Sequence, residues 1–542
     1  MRLARYVLLG LFGVGLLSGC GSEAPRQSAS STTISFVPVE GQVTVEASRP
    51  TDPGVFAAAR LLEQSTWGPT PRSIEEVRRL GVAAWIDQQL LMPPSLMSPP
   101  NFVINYNNGD RAAEDLAWGW INTRYHDFAL AGQDQLRQRV AWALFNYIPV
   151  NAAGPYSGSV YFNLLQQNAF GSYKALLRAV SVDPTMGWFL NNDQNTAAKP
   201  NENYARELMQ LFSVGLVQLN PDGSPKRDAS GNAIETYSQA DVVAATKALS
   251  GWERVWVANL PSSNWGNFGV PMRPREWRDA HDFSAKSVLG QRIPANQSPE
   301  QDLNSLLDIL VNHPNTGPFV SLRLIQHLVT SDPSPQYVSR VASVFRSSGG
   351  NLGQVVKAIL LDPEARVGDV PSQPASVAGK IKEPILHGFN VLRAMGCTSA
   401  VRDRWNPNNP LWLGQDRFGP PSVFGYVSPF HRAPESLTLA PEQRLIAYNE
   451  LTRRLNRLNE EDRNRFTQAG CELDAFVRAS DISDAALVAL INERFFKGAI
   501  PPPLQHGSFN LLQTQLLGRP ALERVSSLLA VLVTTPTYGV VK

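Results

Sequence analysis

From Pro53 onward, apolar residues recur at three- and four-residue spacing, the period of a helix with one buried face. PGVFAAARLLEQ opens the series, with Pro53 behind a capping Asp52, and Trp67-Gly68-Pro69 stops it. PRSIEEVRRLG and VAAWIDQQLL read as two short helices. Residues 111–130 and 133–148 read as a long helical pair, and in the second Leu136, Val140, Ala143 and Leu144 share one stripe. SYKALLRAVSVDPTMGWFL predicts a helix, a break at Pro184 and one more turn. Ser238 and Asp241 cap a helix that runs to about Ser250. Further helices are predicted over 300–312, 318–330, 335–347, 352–361 and 380–396, and through most of 441–535.

Three stretches depart from that period. Residues 216–237 place turn signals, Pro221-Asp222-Gly223 and Ser230-Gly231-Asn232, between strand-like pieces, which predicts a small β-hairpin or meander. Asp222, Asp228 and Glu235 there lack the ligand spacing of a calcium loop, so a solvated turn is the expectation. Residues 253–298 and 405–440 are irregular and rich in Pro, Trp and Asn; loops of that length in a folded body are usually functional or disordered, and their aromatics argue against disorder. The predicted fold class is mainly α: one large irregular multi-helix domain over 51–542, with a hairpin insert near 216–237.

The N-terminus changes where this body is expected to live. Arg2 and Arg5 precede an apolar run from Tyr6 to Leu17, too short to span a bilayer, followed by Leu17-Ser18-Gly19-Cys20. This resembles a bacterial lipoprotein signal over 1–19, with Cys20 receiving the diacylglycerol and becoming the anchored N-terminus. Residues 20–50, rich in Ser, Thr, Pro and Gly, read as the tether. Gly21 and Ser22 carry no inner-membrane retention aspartate, which favours the outer membrane in a cell with two. The expected localisation is therefore the cell envelope, with the membrane a partner through the N-terminal lipid. A formal net charge of +2 on 542 residues argues against nucleic acid as a partner. Outside the cytosol the two remaining cysteines, Cys397 and Cys471, either pair, closing a long loop, or stay as separate buried thiols.

Candidate chemistry gathers in KPNENYARELMQLFSVG, residues 199–215. Tyr204, Leu208, Leu211 and Phe212 form an apolar stripe, while Asn203, Arg206, Glu207 and Gln210 lie opposite. Glu202 and Glu207 point about 140° apart on one helix, so they cannot form a close carboxylate pair. The structural reading has Asn201 capping, Glu202 pairing with Arg206, and Glu207 meeting a distant arginine. The functional reading needs a group from RDAHDFSAK, which supplies His281, Asp282 and Lys286. Glu207, Glu202 and His281 would then act as acid–base groups or hold a divalent metal; the expectation from the sequence is no cofactor. FGYVSPFHRAP displays Phe424, Tyr426, Phe430 and His431 on a stiff loop, to stack on a ligand or to plug the body's own surface. No G-x-S-x-G, H-E-x-x-H, C-x-x-C or phosphate loop accompanies these residues.

Six blocks, AARLLEQSTWGPT, AFGSYKALLRAVSVDPTMGWFL, PNENYARELMQLFSVG, YSQADVVAATKALSGW, HDFSAKSVLG and GPPSVFGYVSPF, occur in the order seen in one large bacterial family, the domain of unknown function 1800. The resemblance runs from about Pro53 to about Thr535. It implies an exported, mostly helical envelope protein and brings no agreed catalytic residues. It also implies a partner, an exported sulfatase-like protein whose gene often lies nearby. The residues favour an envelope component that binds a partner protein or a surface polymer, with Asn201, Asn203, Arg206, Asp282, Lys286 and Tyr426 as binding residues. The alternative is a hydrolase-like enzyme on an envelope or extracellular polymer, built on Glu207, Glu202 and His281.

Overall fold

The computed structural model describes residues 53–98, 111–152, 154–256, 267–370, 379–401, 415, 418–426, 451–456 and 458–541. Cys20, the signal and tether segments, Phe430, His431 and most of the 405–440 loop lie outside the described residues. Helices dominate what remains. The periodic segments become helices close to their expected bounds: Pro53–Ser65, Pro71–Leu80, Val82–Leu91, Arg111–Ala131, Gln135–Tyr147, Tyr173–Ser181 and Pro335–Ser347 among them. Thr70, Ser238, Ser298 and Asn459 form capping boxes at four helix starts.

One core cluster runs from Ala58 to Val541. Gln135–Tyr147 sits at its centre and departs from the amphipathic pattern expected of it, because every one of its residues is buried. Its polar side chains are accommodated by backbone carbonyls: Arg137 donates to the carbonyls of Met92 and Gln166, and Arg139 to that of His327. Around this helix, Trp67 and Trp142 lie with ring centroids 6.0 Å apart, and Trp67 lies 5.1 Å from Phe389.

The 216–237 insert is a small meander, with antiparallel bridges Val217–Glu235, Leu219–Pro225 and Arg227–Ala233. Asp222 and Asp228 spend their carboxylates on the turns themselves, accepting the backbone N–H groups of Ser224 and Ser230. Strand pairing also occurs where the pattern predicted none. Lys286–Val288 pairs with Gln291–Ile293 inside the supposedly irregular 253–298 region. Leu289 and Gly290, at φ 51° and 75°, form the tight turn, which requires two left-handed residues in succession. Trp252–Glu253 pairs with Arg273–Pro274.

The helix expected over 380–396 begins only at Pro384, because Lys380–Ile381 is a strand paired with Val540–Val541. This Lys380-Ile381-Lys382-Glu383 stretch threads the interior with three charged side chains, all buried. Lys380 Nζ lies 3.3 Å from a Glu383 oxygen and donates to the His327 carbonyl at 2.7 Å. Glu383 also accepts from Trp142 Nε1 at 2.9 Å and from Asn146 and Gln415 at 3.3 Å. Lys382 turns to Glu63 at 3.1 Å, a carboxylate it shares with Lys497. Burial would raise Glu383, but Lys380, Arg139 and the hydrogen bonds hold it down at about 2.

Cys397 and Cys471 are joined by a disulfide. It ties the end of the Pro384–Ala394 helix to the end of the Glu460–Gln468 helix, and the Glu472 N–H donates to the Met395 carbonyl beside it. Across a sequence separation of 74, such a link stabilises by about 4 kcal/mol in the chain-entropy account.

The sign of the Glu383 shift sets an acid dependence. Its folded value lies below the ordinary 4.5, so its contribution is complete above pH 4.5 and is lost as pH falls toward 2. Glu383→Gln is expected to cost about 3–5 kcal/mol near neutrality, since it strands Lys380 and Arg139. Denaturant melts of wild type and variant across that range should converge as the pH drops; parallel curves would refute the assignment.

Candidate functional site

The Asn203–Gln210 helix buries Tyr204 and Leu208 of the expected stripe, with Ala205 and Met209 beside them, and ends before Leu211, which is half-buried, and Phe212, which is buried. Asn201 Oδ1 accepts the Asn203 N–H at 3.1 Å, turning the chain into the helix. Glu202 pairs with Arg206 at 2.8 Å, and both reach Gln239, at the start of the Gln239–Ala248 helix. Among the described residues Glu207 meets no distant arginine. It is half-buried beside Tyr237, with Oε2 unpartnered among the described residues and its carboxyl pushed up by burial, partly offset by Arg206.

His281 lies at the other end of that same helix. Its Nδ1 faces the Ser250 carbonyl at 2.9 Å, and its Nε2 donates to Asp302 Oδ2 at 3.2 Å. Lys286 Nζ reaches the same carboxylate oxygen at 2.5 Å, and all three side chains are sealed from solvent. Asp302, in the first turn of the Pro299–Asn312 helix, thus gathers the two basic residues of RDAHDFSAK; nothing in its own sequence context marked it. Asp282 faces away, bonding Ser284 and lying 3.5 Å from Lys247. Among the described residues neither Glu202 nor Glu207 bonds His281, whose two ring nitrogens are engaged by Ser250 and Asp302. Among the described residues no group of three His, Cys, Asp or Glu side chains is placed to hold a metal. Tyr426 is buried, packed into the core cluster.

A different set of polar residues converges where the opening stretch begins. Asn191 takes the left-handed conformation (φ 59°) that asparagine tolerates, and its side chain accepts from Asn203 Nδ2 at 3.0 Å. Asn195 Oδ1 accepts the Asn201 N–H, while its backbone carbonyl accepts the N–H of Gly251. Gly251 is needed there: at φ 88°, a Cβ would stand 3.1 Å from the His281 backbone nitrogen. Between these amides sits Asp193. Arg254 Nε donates to its carboxylate at 2.7 Å, and Arg275 Nη2 donates to its carbonyl at 2.7 Å. Burial nevertheless pushes the Asp193 carboxyl upward, against both arginines. Asn192 is buried with neither side-chain atom partnered among the described residues, and Asp193 Oδ1 and Arg275 Nε are likewise unpartnered.

The two arginines leave the Trp252–Glu253 and Arg273–Pro274 strands, one from each arm. Two residues beyond each stands a tryptophan in solvent: Trp256, 62% exposed, and Trp277, 53% exposed. The Arg275 guanidinium lies 5.2 Å from the Trp277 ring centre. This loop and ribbon were missed as site residues in the sequence; the available signal was the repeated Arg-x-Trp of WERVW and RPREW, together with the amide run NNDQN.

Fold and site together define a helical body that presents an amide- and arginine-lined ribbon with two displayed tryptophans. The chain belongs to the family described as protein of unknown function (DUF1800), which it matches over residues 60–540. No curated protein and no solved structure matches it.

Two variants separate the buried cluster from the exposed pair. Asp302→Ala leaves Lys286 as an unpaired interior charge and is expected to cost about 3–5 kcal/mol. Glu202→Ala, breaking a pair more than a third exposed on both sides, should cost under about 1 kcal/mol. Urea denaturation of the two proteins checks the contrast; equal losses would contradict it.

Proposed function

We propose that this chain is a lipid-anchored protein of the bacterial cell envelope that holds a surface polysaccharide on the ribbon around Asp193. The observation that carries this reading is the pair of solvent-facing tryptophans, each two residues beyond an arginine bound to Asp193. An indole face stacks on the apolar C–H face of a sugar ring, and amide and guanidinium groups bond its hydroxyls. The charge around the rings favours a sugar over a protein partner. Arg273, Glu253 and Glu276 form ion pairs beside them, whereas the buried centre of a protein interface is depleted of charge. Glu202, Arg206, Asn203 and Gln239 extend the same hydrogen-bonding chemistry from the neighbouring helix start. His281 has its ring nitrogens engaged by Ser250 and Asp302 and bonds neither glutamate among the described residues, which supports binding over the acid–base reading.

The anchor rests on the sequence around Cys20. Among the described residues no helix is long and apolar enough to cross a membrane. A single acyl chain binds a bilayer only marginally, so a diacylated and N-acylated cysteine is the chemistry that would hold the body in place.

Co-sedimentation of the full mature chain with insoluble cell-envelope polysaccharide tests the binding surface. Trp256→Ala/Trp277→Ala is expected to weaken retention about tenfold or more, which corresponds to roughly 1.4 kcal/mol. The melting temperature should stay unchanged, because both rings are exposed. Retention equal to wild type would end this reading. Palmitate labelling of cells making the wild-type or the Cys20→Ala chain tests the anchor: label in the first and not the second is expected, and equal label overturns it.

A further inference from the structure

A second feature lies far along the chain from the ribbon residues, in a cavity of about 380 Å³. Its walls come from the first two helices, the Leu130–Gln135 turn and the disulfide-bearing segment after the Pro384–Ala394 helix. Arg393 forms part of that wall and is buried. Its guanidinium donates to the carbonyls of Gly68, Ala129 and Leu130, at 2.6, 3.0 and 2.6 Å. Among the described residues no carboxylate forms an ion pair with it. The buried lysines are treated otherwise: Lys286 has Asp302, Lys380 has Glu383 and Lys382 has Glu63. An interior cation without a counter-charge is costly, and carbonyl dipoles compensate it only in part. Burial draws Arg393 down to about 10, so it remains a cation at neutral pH.

Two further observations point to an occupant. Trp85 lines the same cavity, and its buried indole N–H has no partner among the described residues. The cavity's charged lining is three arginines (72, 393 and 494) against two glutamates, and one of those, Glu472, is already bound by Arg494. Leu62, Leu130 and Pro71 supply apolar surface. The volume falls within the range of small-molecule sites, which are largely apolar with a few convergent polar groups.

We propose that this cavity binds a small organic carboxylate with a flat apolar body, its carboxylate against Arg393 and the Trp85 indole N–H. The occupant supplies the counter-charge that the fold withholds from Arg393, and its body fills the apolar side. This site is independent of the polysaccharide ribbon, and either can fail without the other.

Calorimetric titration of the full mature chain with benzoate, acetate and inorganic phosphate tests it. Benzoate should bind one per chain, with acetate and phosphate each at least about tenfold weaker. Trp85→Phe keeps the ring packing and removes the N–H; it should weaken benzoate several-fold while a thermal melt shows the chain folded. Arg393→Lys should weaken it further. Three results would each overturn the proposal: no benzoate binding at millimolar concentration, binding unchanged in Trp85→Phe, or phosphate binding more tightly than benzoate.

Discussion

The architecture depends on a short charged strand placed where charge is most expensive. Lys380 and Lys382 point into the core, where an unpaired charge is costly and each finds a carboxylate. Lys382 finds Glu63 on the first helix, and Lys380 finds Glu383 three residues on. Through these partners one strand connects the Pro53–Ser65 helix, the central Gln135–Tyr147 helix, the end of the Thr316–Leu328 helix, Lys497 and the C-terminal strand. Apolar stripes already restrict how helices pack, and a buried charge adds a sharper requirement, because its partner must stand at one place. Ion pairs of 3.1 to 3.3 Å do not tolerate sliding, so the network selects one arrangement of elements distant in sequence. Burial pulls Lys380 and Lys382 down to about 8, which shows that the carboxylates only partly offset desolvation. Specificity of packing, more than net stability, is what this arrangement supplies.

That network also marks where sequence reasoning stopped. Amphipathic helices such as Pro335–Ser347 and Leu352–Leu361 were legible because local spacing decides both their period and their buried face. Lys-Ile-Lys-Glu is locally a solvated helical turn, and its burial is decided by Glu63, more than 300 positions away. The same limit applies to Asp302: alone it is an ordinary first-turn acid, and only the fold brings His281 and Lys286 onto it. The Leu289-Gly290 hairpin was missed for another reason. Its arms are three residues each, too short for a two-residue alternation to rise above the irregular segment around it.

The candidate site divides along the same line. Within KPNENYAREL, the Glu202–Arg206 pair and the burial of Tyr204 and Leu208 followed from spacing, whereas the cap position falls on Glu202 and Asn201 accepts the Asn203 N–H one residue before it. The pairing of Glu207 with His281 did not follow from spacing, because it needed two segments to meet. His281 instead engages Ser250 and Asp302. What meets the Asn201–Asn203 end instead is the Asn191–Asn195 loop, whose amides bond that helix start and whose Asp193 receives arginines from both arms of a ribbon.

Asp193 therefore does for the surface what the Lys380–Glu383 strand does for the core. Arg254 and Arg275 follow two short strands of two residues each, and Asp193 draws both to one point. Held at 2.7 Å, they fix the backbone from which Trp256 and Trp277 project. A rigid aromatic on a fixed backbone loses little entropy when it meets a ligand, which is the physical advantage of building a binding surface this way. Among the described residues the buried Asn192 amide and Asp193 Oδ1 have no partner, which leaves hydrogen-bonding capacity beside the arginines of the ribbon. Such capacity is costly to keep in an interior, and it has physical sense where a bound hydroxyl or an ordered water completes it.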